Sequence, residues 1–177
     1  LASEEDSVFF EFSIPRMGKR ADVVLIIQGI VFVVEFKVGS TDFHSADRRQ
    51  ALDYALDLKN FHSGSHDALI IPILVASEAR SSSATNLDPI RTKDGVSDLV
   101  TTDGERLGDV IKWCLEDINA SNLGSGVRRV EDGMAWAQLP YKPTPTIVQA
   151  AQALYQGHDV KEISRSDAGA RNLTLTA

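Results

Sequence analysis

Three charged residues interrupt an otherwise apolar stretch near the start of this chain. Asp22 opens one run of Val, Leu and Ile, and Glu35 and Lys37 fall near the end of the next. Two close carboxylates repel each other, and a hard divalent cation relieves the repulsion because it takes oxygen ligands. A neighbouring ammonium can orient or deprotonate a metal-bound water, or neutralise charge that builds on phosphate. These residue types therefore suit metal-assisted hydrolysis of a phosphodiester.

Two strands joined by a tight turn must position these charges. The two apolar runs are short and rich in Val, Ile and Phe, with Gln28-Gly29 between them, which predicts a hairpin. Symmetric pairing about that turn places Asp22 across from Glu35, and strand periodicity puts Glu35 and Lys37 on one face. The alternative is structural, a salt bridge at a strand end in which Lys37 neutralises one acid.

Asp22 followed by Glu35-Phe36-Lys37 resembles the signature of the PD-(D/E)xK nuclease superfamily, also called restriction-endonuclease-like. The resemblance implies that Asp22 and Glu35 bind Mg²⁺ (or Mn²⁺) and that Lys37 is the catalytic lysine. Ala21 precedes Asp22 at the position of the proline in the signature, which is often absent in the superfamily. The implied fold is α/β, a restriction-endonuclease-like core of a four- to five-stranded mixed sheet flanked by helices, with a helical C-terminal tail.

A second motif falls on the next predicted helix. Gln50 and Tyr54 match the Gln-x-x-x-Tyr element of RecB-type nucleases, and residues four apart share a helical face. The resemblance implies that both contact the nucleic-acid backbone or support the metal ligands. Otherwise Tyr54 packs in the core and Gln50 is solvated. Arg20 is a further candidate for substrate binding, and Glu11 is a candidate additional acid from a strand.

Composition sets bounds on class and compartment. The 177 residues are 43% apolar and 24% charged, which is ordinary for a soluble globular protein. The net charge of −7 argues against indiscriminate nucleic-acid binding but not against a metal nuclease. The single Cys114 excludes an intramolecular disulfide, and no membrane span or signal peptide is visible, so we expect a cytoplasmic protein without membrane association. Basic residues that could border a phosphate path, or simply be solvated, are Arg16, Lys19, Arg20, Arg48 and Arg49.

Other elements follow from periodicity. Residues 7–14 predict a strand with Val8, Phe10, Phe12 and Ile14 on one side, and residues 68–76 predict a strand in which Pro72 marks an edge or a bulge. Residues 96–101 predict a further short strand. One helix, capped by residue 42 or 45, should end near residue 61, and another should follow a capping box at 102–105. The histidines at 62 and 66 are expected in a solvent-exposed loop.

The chain divides into residues 1–135, the nuclease-like domain, and residues 136–177, a linker and helical segment. Residues 141–170 resemble the segment before the P-loop core in a family of bacterial helicase-like ATPases related to the ATPase part of Schlafen proteins. No Gly-x-x-x-x-Gly-Lys-Ser/Thr motif occurs, so the chain itself is assigned no ATPase activity. Because the first residue is Leu1 rather than methionine, we expect a fragment or a processed chain.

Together these observations predict a Mg²⁺-dependent nuclease domain that hydrolyses phosphodiester bonds of DNA (or RNA), at the N-terminus of a helicase-like ATPase. The expected partners are nucleic acid, with DNA favoured over RNA, and the covalently attached ATPase domain; a homodimer stays open. Two alternatives remain. One is a non-catalytic nucleic-acid-binding or regulatory module of that ATPase. The other is a protein-interaction domain in which the charged trio is a structural salt-bridge cluster.

Overall fold

The computed structural model describes residues 6–15, 18–80, 87–121, 123, 127–144, 147–148 and 151–152. Within them it contains seven strands and three helices, which makes this a mixed α/β protein, as predicted. The strands are β1 (Ser7–Ile14), β2 (Lys19–Ile27), β3 (Ile30–Lys37), β4 (Ile70–Ala76), β5 (Thr92–Lys93), β6 (Val96–Ser97) and β7 (Val100–Thr102). The helices are α1 (Ser45–Phe61), α2 (Leu107–Ser121) and α3 (Gly133–Ala137). The expectation of four or five strands was too low, because the short β5, β6 and β7 also join the sheet.

The strands form one mixed sheet in the order β1-β2-β3-β4-β6-β5, with β7 also paired to β4. Strands β1 to β3 are an antiparallel meander, whereas β4 is parallel to β3, β6 and β7. Parallel neighbours need a crossover connection, and α1 supplies it between β3 and β4. One core lies between α1 and the sheet and includes Val31 and Val33. The other lies on the α2 side and includes Phe32 and Val34.

The predicted hairpin about Gln28-Gly29 is confirmed in its register, since Val23 pairs with Val34 on either side of the turn. Both turn residues have positive φ, 50° at Gln28 and 76° at Gly29, as a two-residue turn between twisted strands requires. A Cβ on Gly29 would lie 2.6 Å from Cβ of Arg129. The turn therefore needs glycine for its conformation and for the close approach of the segment that contains Arg129.

The predicted alternation of β1 is wrong over its first half. Phe12 and Ile14 lie on the α1 side, but Val8 is 54% exposed and Phe10 is 75% exposed. The cause is Glu11, whose φ of 51° is positive and breaks the extended conformation. Side chains before and after Glu11 consequently follow different phases of the period-two pattern.

Pro72 was expected at an edge or a bulge; the edge position is wrong, whereas the neighbouring segment has one extra residue beside Pro72, since Ile70 pairs with Val96 and Ile73 with Val100. Strand β4 lies inside the sheet, and its pairing with β3 is continuous through Pro72. The amide of Ile70 donates to the carbonyl of Gly95 on the opposite side, and amides two apart in a strand face the same neighbour. The Pro72 nitrogen thus faces the β6 side, between the β6 pair at Ile70 and the β7 pair at Ile73. The predicted strand at 96–101 is accordingly split into β6 and β7.

The two longer helices have the predicted positions, but their caps differ. Helix α1 ends at Phe61 as expected, whereas its N-cap is His44, which makes no side-chain capping bond. Capping by residue 42 or 45 is therefore wrong, and Ser45 is the first helical residue. In front of α2, the Asp103 carboxylate accepts from the Arg106 amide at 2.9 Å, whereas Thr102 Oγ1 has no hydrogen-bond partner among the described residues, so the predicted capping box is wrong. Cys114 lies on the buried face of α2. No helix of the described residues is long and apolar enough to cross a membrane.

An aromatic cluster lies at the C-terminal end of α1 and buries His62. The expectation that His62 is exposed is therefore wrong. His62 is fully buried, with its ring centroid 4.4 Å from that of Trp136. Trp136 also stacks on Phe12 at 5.2 Å and donates its indole N–H to Ser65 Oγ at 3.1 Å. Ser65 Oγ in turn lies 2.9 Å from Nδ1 of His62.

The same cluster includes residues of the segment 136–177, whose first part was expected to be a linker. Trp136 belongs to the core on the α1 side, and Tyr141 packs against it. The packed unit therefore continues past residue 135. Residues 147–148 and 151–152 are helical, as predicted for the tail, and the tail beyond residue 152 lies outside the described residues.

Candidate active site

Four of the predicted site residues form one hydrogen-bonded cluster between β3 and α1. Lys37 Nζ donates to Glu35 Oε1 at 3.0 Å and to Gln50 Oε1 at 3.1 Å. The Gln50 amide nitrogen donates to the same Glu35 oxygen at 2.7 Å and to the Tyr54 hydroxyl at 2.8 Å. Both functional ends of the Gln50 carboxamide are thus used, and the helix fixes the orientation of the strand side chains.

Strand periodicity explains why these residues meet. Val31 and Val33 belong to the core on the α1 side, and residues two apart in a strand share a face. Glu35 and Lys37 continue that row toward the end of β3, where α1 begins after a short loop. Gly39 has a φ of 77° and lets the chain turn there.

Asp22 reaches the cluster from the neighbouring strand. The last pair of the β2–β3 ladder is Val23 with Val34, and the next position along would pair Asp22 with Glu35. Beyond it, Asp22 Oδ2 accepts a hydrogen bond from the backbone amide of Phe36 at 2.7 Å. The carboxylate thus takes the place of a ladder carbonyl. Burial raises the pKa of Glu35, and the negative charge of Asp22 adds to that rise.

Glu35 is a buried acid that lacks full compensation. The residue is 4% exposed, and burial raises the pKa of its carboxyl group. The hydrogen bond from Lys37 and the nearby backbone amide of Asp22 oppose the shift, the Asp22 charge adds to it, and the pKa remains above its ordinary value. Oε2 of Glu35 is buried and has no hydrogen-bond partner among the described residues, whereas Oε1 accepts two bonds. Buried polar atoms without partners are rare, and one such atom in a native fold indicates an absent ligand or stored strain.

Lys37 is held in its charged form. Burial lowers its pKa, but the carboxylates of Glu35 and Asp47 outweigh that effect and the pKa is raised. In this arrangement Lys37 is an ammonium at neutral pH and supplies positive charge instead of accepting a proton.

Asp47 is the member of the cluster that sequence reasoning missed. It lies in the first turn of α1, and its Oδ1 is 3.4 Å from Lys37 Nζ. The available signal was its spacing, since Asp47, Gln50 and Tyr54 are three and four residues apart and share one face of the helix.

Arg20 and Glu11 form a separate pair. Their side chains are 65% and 58% exposed and meet at 3.1 Å. Glu11 stands opposite Asp22 in the β1–β2 register, because the pairs on either side of that position are aligned. Within the part of the chain described, neither side chain makes a hydrogen bond or ion pair with Glu35 or Lys37.

The other basic candidates lie on the surface. Arg48 and Arg49 are exposed, and Arg48 donates to the carbonyl of Phe43 and lies over its ring. Arg16 is outside the described residues.

The donors present fit a magnesium-type ion better than a zinc-type ion. No group of three or more His, Cys, Asp or Glu residues that could hold a metal occurs in the described ranges. Mg²⁺ does not need such a group, since it usually takes one or two carboxylates and completes its shell with water and substrate phosphate. Asp22 and the free Oε2 of Glu35 provide such a donor set.

Comparisons of this chain with protein-family models, with curated proteins and with solved structures gave no match. Functional inference therefore depends on the site itself.

Proposed function

We propose that this chain is a Mg²⁺-dependent nuclease domain with a PD-(D/E)xK-type site on a restriction-endonuclease-like core. The observation that carries the proposal is the division of the Glu35 carboxylate. Oε1 is held by Lys37 and Gln50, while Oε2 is buried, unpartnered among the described residues and close to a second acid, Asp22. Leaving a buried acceptor unsatisfied costs about 1–3 kcal/mol, and a cation bound between the two acids would remove that cost.

Each residue has a role in this proposal. Asp22 and Glu35 hold the cation, which when bound polarises the phosphate and makes water more acidic. Lys37 stays charged and neutralises the negative charge that develops as water adds to phosphorus. Gln50 fixes Glu35 and Lys37 relative to each other, and Tyr54 fixes Gln50.

The proposed substrate is a nucleic acid, with DNA favoured over RNA. The proposed setting is cytoplasmic, at the N-terminus of a helicase-like ATPase. Arg20 and the exposed basic residues of α1 would contact the phosphate backbone outside the cluster.

The deciding experiment compares thermal unfolding of the wild type, Asp22→Ala and Asp53→Ala, each with and without Mn²⁺. Asp53 is an exposed acid on α1 and serves as the matched control. A ligand that binds only the folded state at 100 times its Kd adds about 2.7 kcal/mol of stability. We expect Mn²⁺ to stabilise the wild type and Asp53→Ala but not Asp22→Ala.

Cleavage of single- and double-stranded DNA and RNA is then assayed with Mg²⁺ and Mn²⁺. A folded wild type that neither responds to Mn²⁺ nor cleaves any of these substrates contradicts the proposal.

One observation favours a second candidate, a non-catalytic nucleic-acid-binding or regulatory module. Lys37 already supplies Glu35 with a counter-ion at 3.0 Å, so the cluster is partly neutralised without metal. Binding of nucleic acid that is unchanged by chelator, with no cleavage, would select this candidate.

A further inference from the structure

The ammonium of Lys37 is shared among three oxygen atoms from three residues. Nζ lies 3.0 Å from Glu35 Oε1, 3.1 Å from Gln50 Oε1 and 3.4 Å from Asp47 Oδ1. A lysine ammonium has three N–H donors, so each can be directed at one of these acceptors. Two of the acceptors are carboxylates, one from the strand and one from the helix.

This sharing matters because Glu35 has two tasks in the proposed function. It binds Lys37 through Oε1, and it would bind a divalent cation through Oε2. Two positive groups on one carboxylate repel each other, and the repulsion is stronger at a buried site than in water. A second carboxylate that contacts Nζ from the helix offsets part of that repulsion and draws the ammonium toward the helix. Asp47 is the acid in that position, with its side chain 20% exposed.

We propose that Asp47 is a positioning residue, which holds the Lys37 ammonium so that the lysine and a divalent cation occupy Glu35 together, one on each oxygen. The inference depends on the proposed metal site and adds a residue and a role to it. Asp47 acts through Lys37 and does not itself bind the cation.

A double-mutant cycle read out by Mn²⁺ binding tests this role. Calorimetric titration is carried out on the wild type, Asp47→Asn, Lys37→Met and the double variant, with Asp53→Asn as the control on the exposed side of α1. We expect Asp47→Asn to weaken Mn²⁺ binding by roughly fivefold, the upper end of the effect of an exposed ion pair. In the Lys37→Met background the same change should alter binding by less than about twofold, because the group it acts through is gone. Asp47→Glu should restore most of the affinity.

Other outcomes separate the alternatives. Equal weakening by Asp47→Asn with and without Lys37 would make Asp47 a direct ligand and overturn the positioning role. Wild-type binding by Asp47→Asn would also overturn it, while leaving the metal site intact. A wild type that neither binds Mn²⁺ nor cleaves nucleic acid would instead remove the proposed function, and this inference with it.

Turnover provides a second readout if the wild type cleaves. Loss of a positioning contact should lower kcat for Asp47→Asn and leave KM unchanged, since Asp47 does not contact substrate. Circular dichroism and the unfolding midpoint confirm that each variant is folded.

Discussion

The amide nitrogen of Gln50 lies 2.7 Å from Oε1 of Glu35, so a residue of α1 fixes the carboxylate of a residue on β3. The same nitrogen reaches the Tyr54 hydroxyl, and the carboxamide oxygen accepts from Lys37. Through Gln50, helix α1 therefore fixes the side-chain positions of Glu35 and Lys37 at the end of β3. Without Gln50, Glu35 and Lys37 would keep only their direct ion pair and lose the contacts that tie both to the helix.

Glu35→Gln should stabilise the metal-free protein at neutral pH, because it removes a buried charge beside Asp22 while Lys37 keeps Asp47 as a counter-ion. Burial and the Asp22 charge raise the pKa of Glu35 in the folded state. The stability that this group contributes is therefore present at low pH and is lost as the pH rises through the folded-state pKa. Glutamine does not titrate, so the gain of the variant over the wild type should grow with pH in urea titrations, and Mn²⁺ should have no effect on the variant.

The control for this prediction is Glu116→Gln, which changes an exposed acid of α2. It should show no comparable gain. A Glu35→Gln variant less stable than the wild type at every pH would instead support the structural salt-bridge interpretation of the trio.

Lys37→Met should lower the stability of the fold only modestly but lower nuclease turnover strongly. Removing one partner of a buried ion pair typically destabilises by about 3 kcal/mol, and the partial exposure of Lys37 reduces the expected loss to about 1–2 kcal/mol. Nuclease turnover should fall by about 100-fold or more, because the charge that offsets developing negative charge is gone. Lys112→Met, on an exposed α2 pair at 3.9 Å, should change neither. Full activity of Lys37→Met would exclude a catalytic lysine at this position.

Tyr54→Phe should loosen the cluster without disrupting the core. Tyr54 is buried, and only its hydroxyl contact with Gln50 is removed, which should cost about 1 kcal/mol. Turnover should drop several-fold because Gln50 can then rotate away from Glu35. The matched change Tyr141→Phe removes a hydroxyl that contacts the Ser13 carbonyl at 3.3 Å and should leave turnover unchanged. Equal effects of the two changes on turnover would argue against a role for Tyr54 in the site.

His62 should make the protein sensitive to acid. Burial, with a smaller effect from the charge of His66, lowers the pKa of His62 from 6.5 to about 4. Between these values the unfolded chain binds a proton that the folded chain does not, so stability falls as the pH drops through this window. The loss attributable to His62 is about 3 kcal/mol by linkage.

Urea denaturation from pH 7 to pH 4 measures this dependence. His62→Gln should reduce the slope strongly, and His66→Gln, which changes a partly exposed histidine, should reduce it much less because the charge of His66 is the smaller cause. Parallel profiles for the wild type and His62→Gln would show that the buried imidazole is not the cause.

Local sequence patterns predicted the strands and the helix that carry the site. The spacing of Asp22, Glu35 and Lys37 about a two-residue turn gave their placement on β2 and β3, and the four-residue spacing of Gln50 and Tyr54 gave a shared helical face. These relations hold because strand and helix periodicities are fixed by backbone geometry.

Tertiary contacts decided what the patterns could not. His62 has a polar, glycine-containing surrounding sequence that favours exposure, yet Trp136 covers it from a distant part of the chain. Pro72 tolerates an interior strand because the pairing on one side is interrupted where its N–H is missing. Asp47 was missed because its importance depends on where Lys37 ends, which is a relation between two elements.

The outer strands of the sheet bear on solubility at high concentration. A long, regular outer strand recruits strands from other molecules and starts aggregation. Here β1 is interrupted by the positive φ of Glu11, and β5, at the other end of the strand order, has two residues. Although Phe10 is exposed on β1, the irregular backbone beside it presents a poor template. The break at Glu11 therefore makes β1 a poorer template for edge-to-edge pairing than a regular strand of the same length.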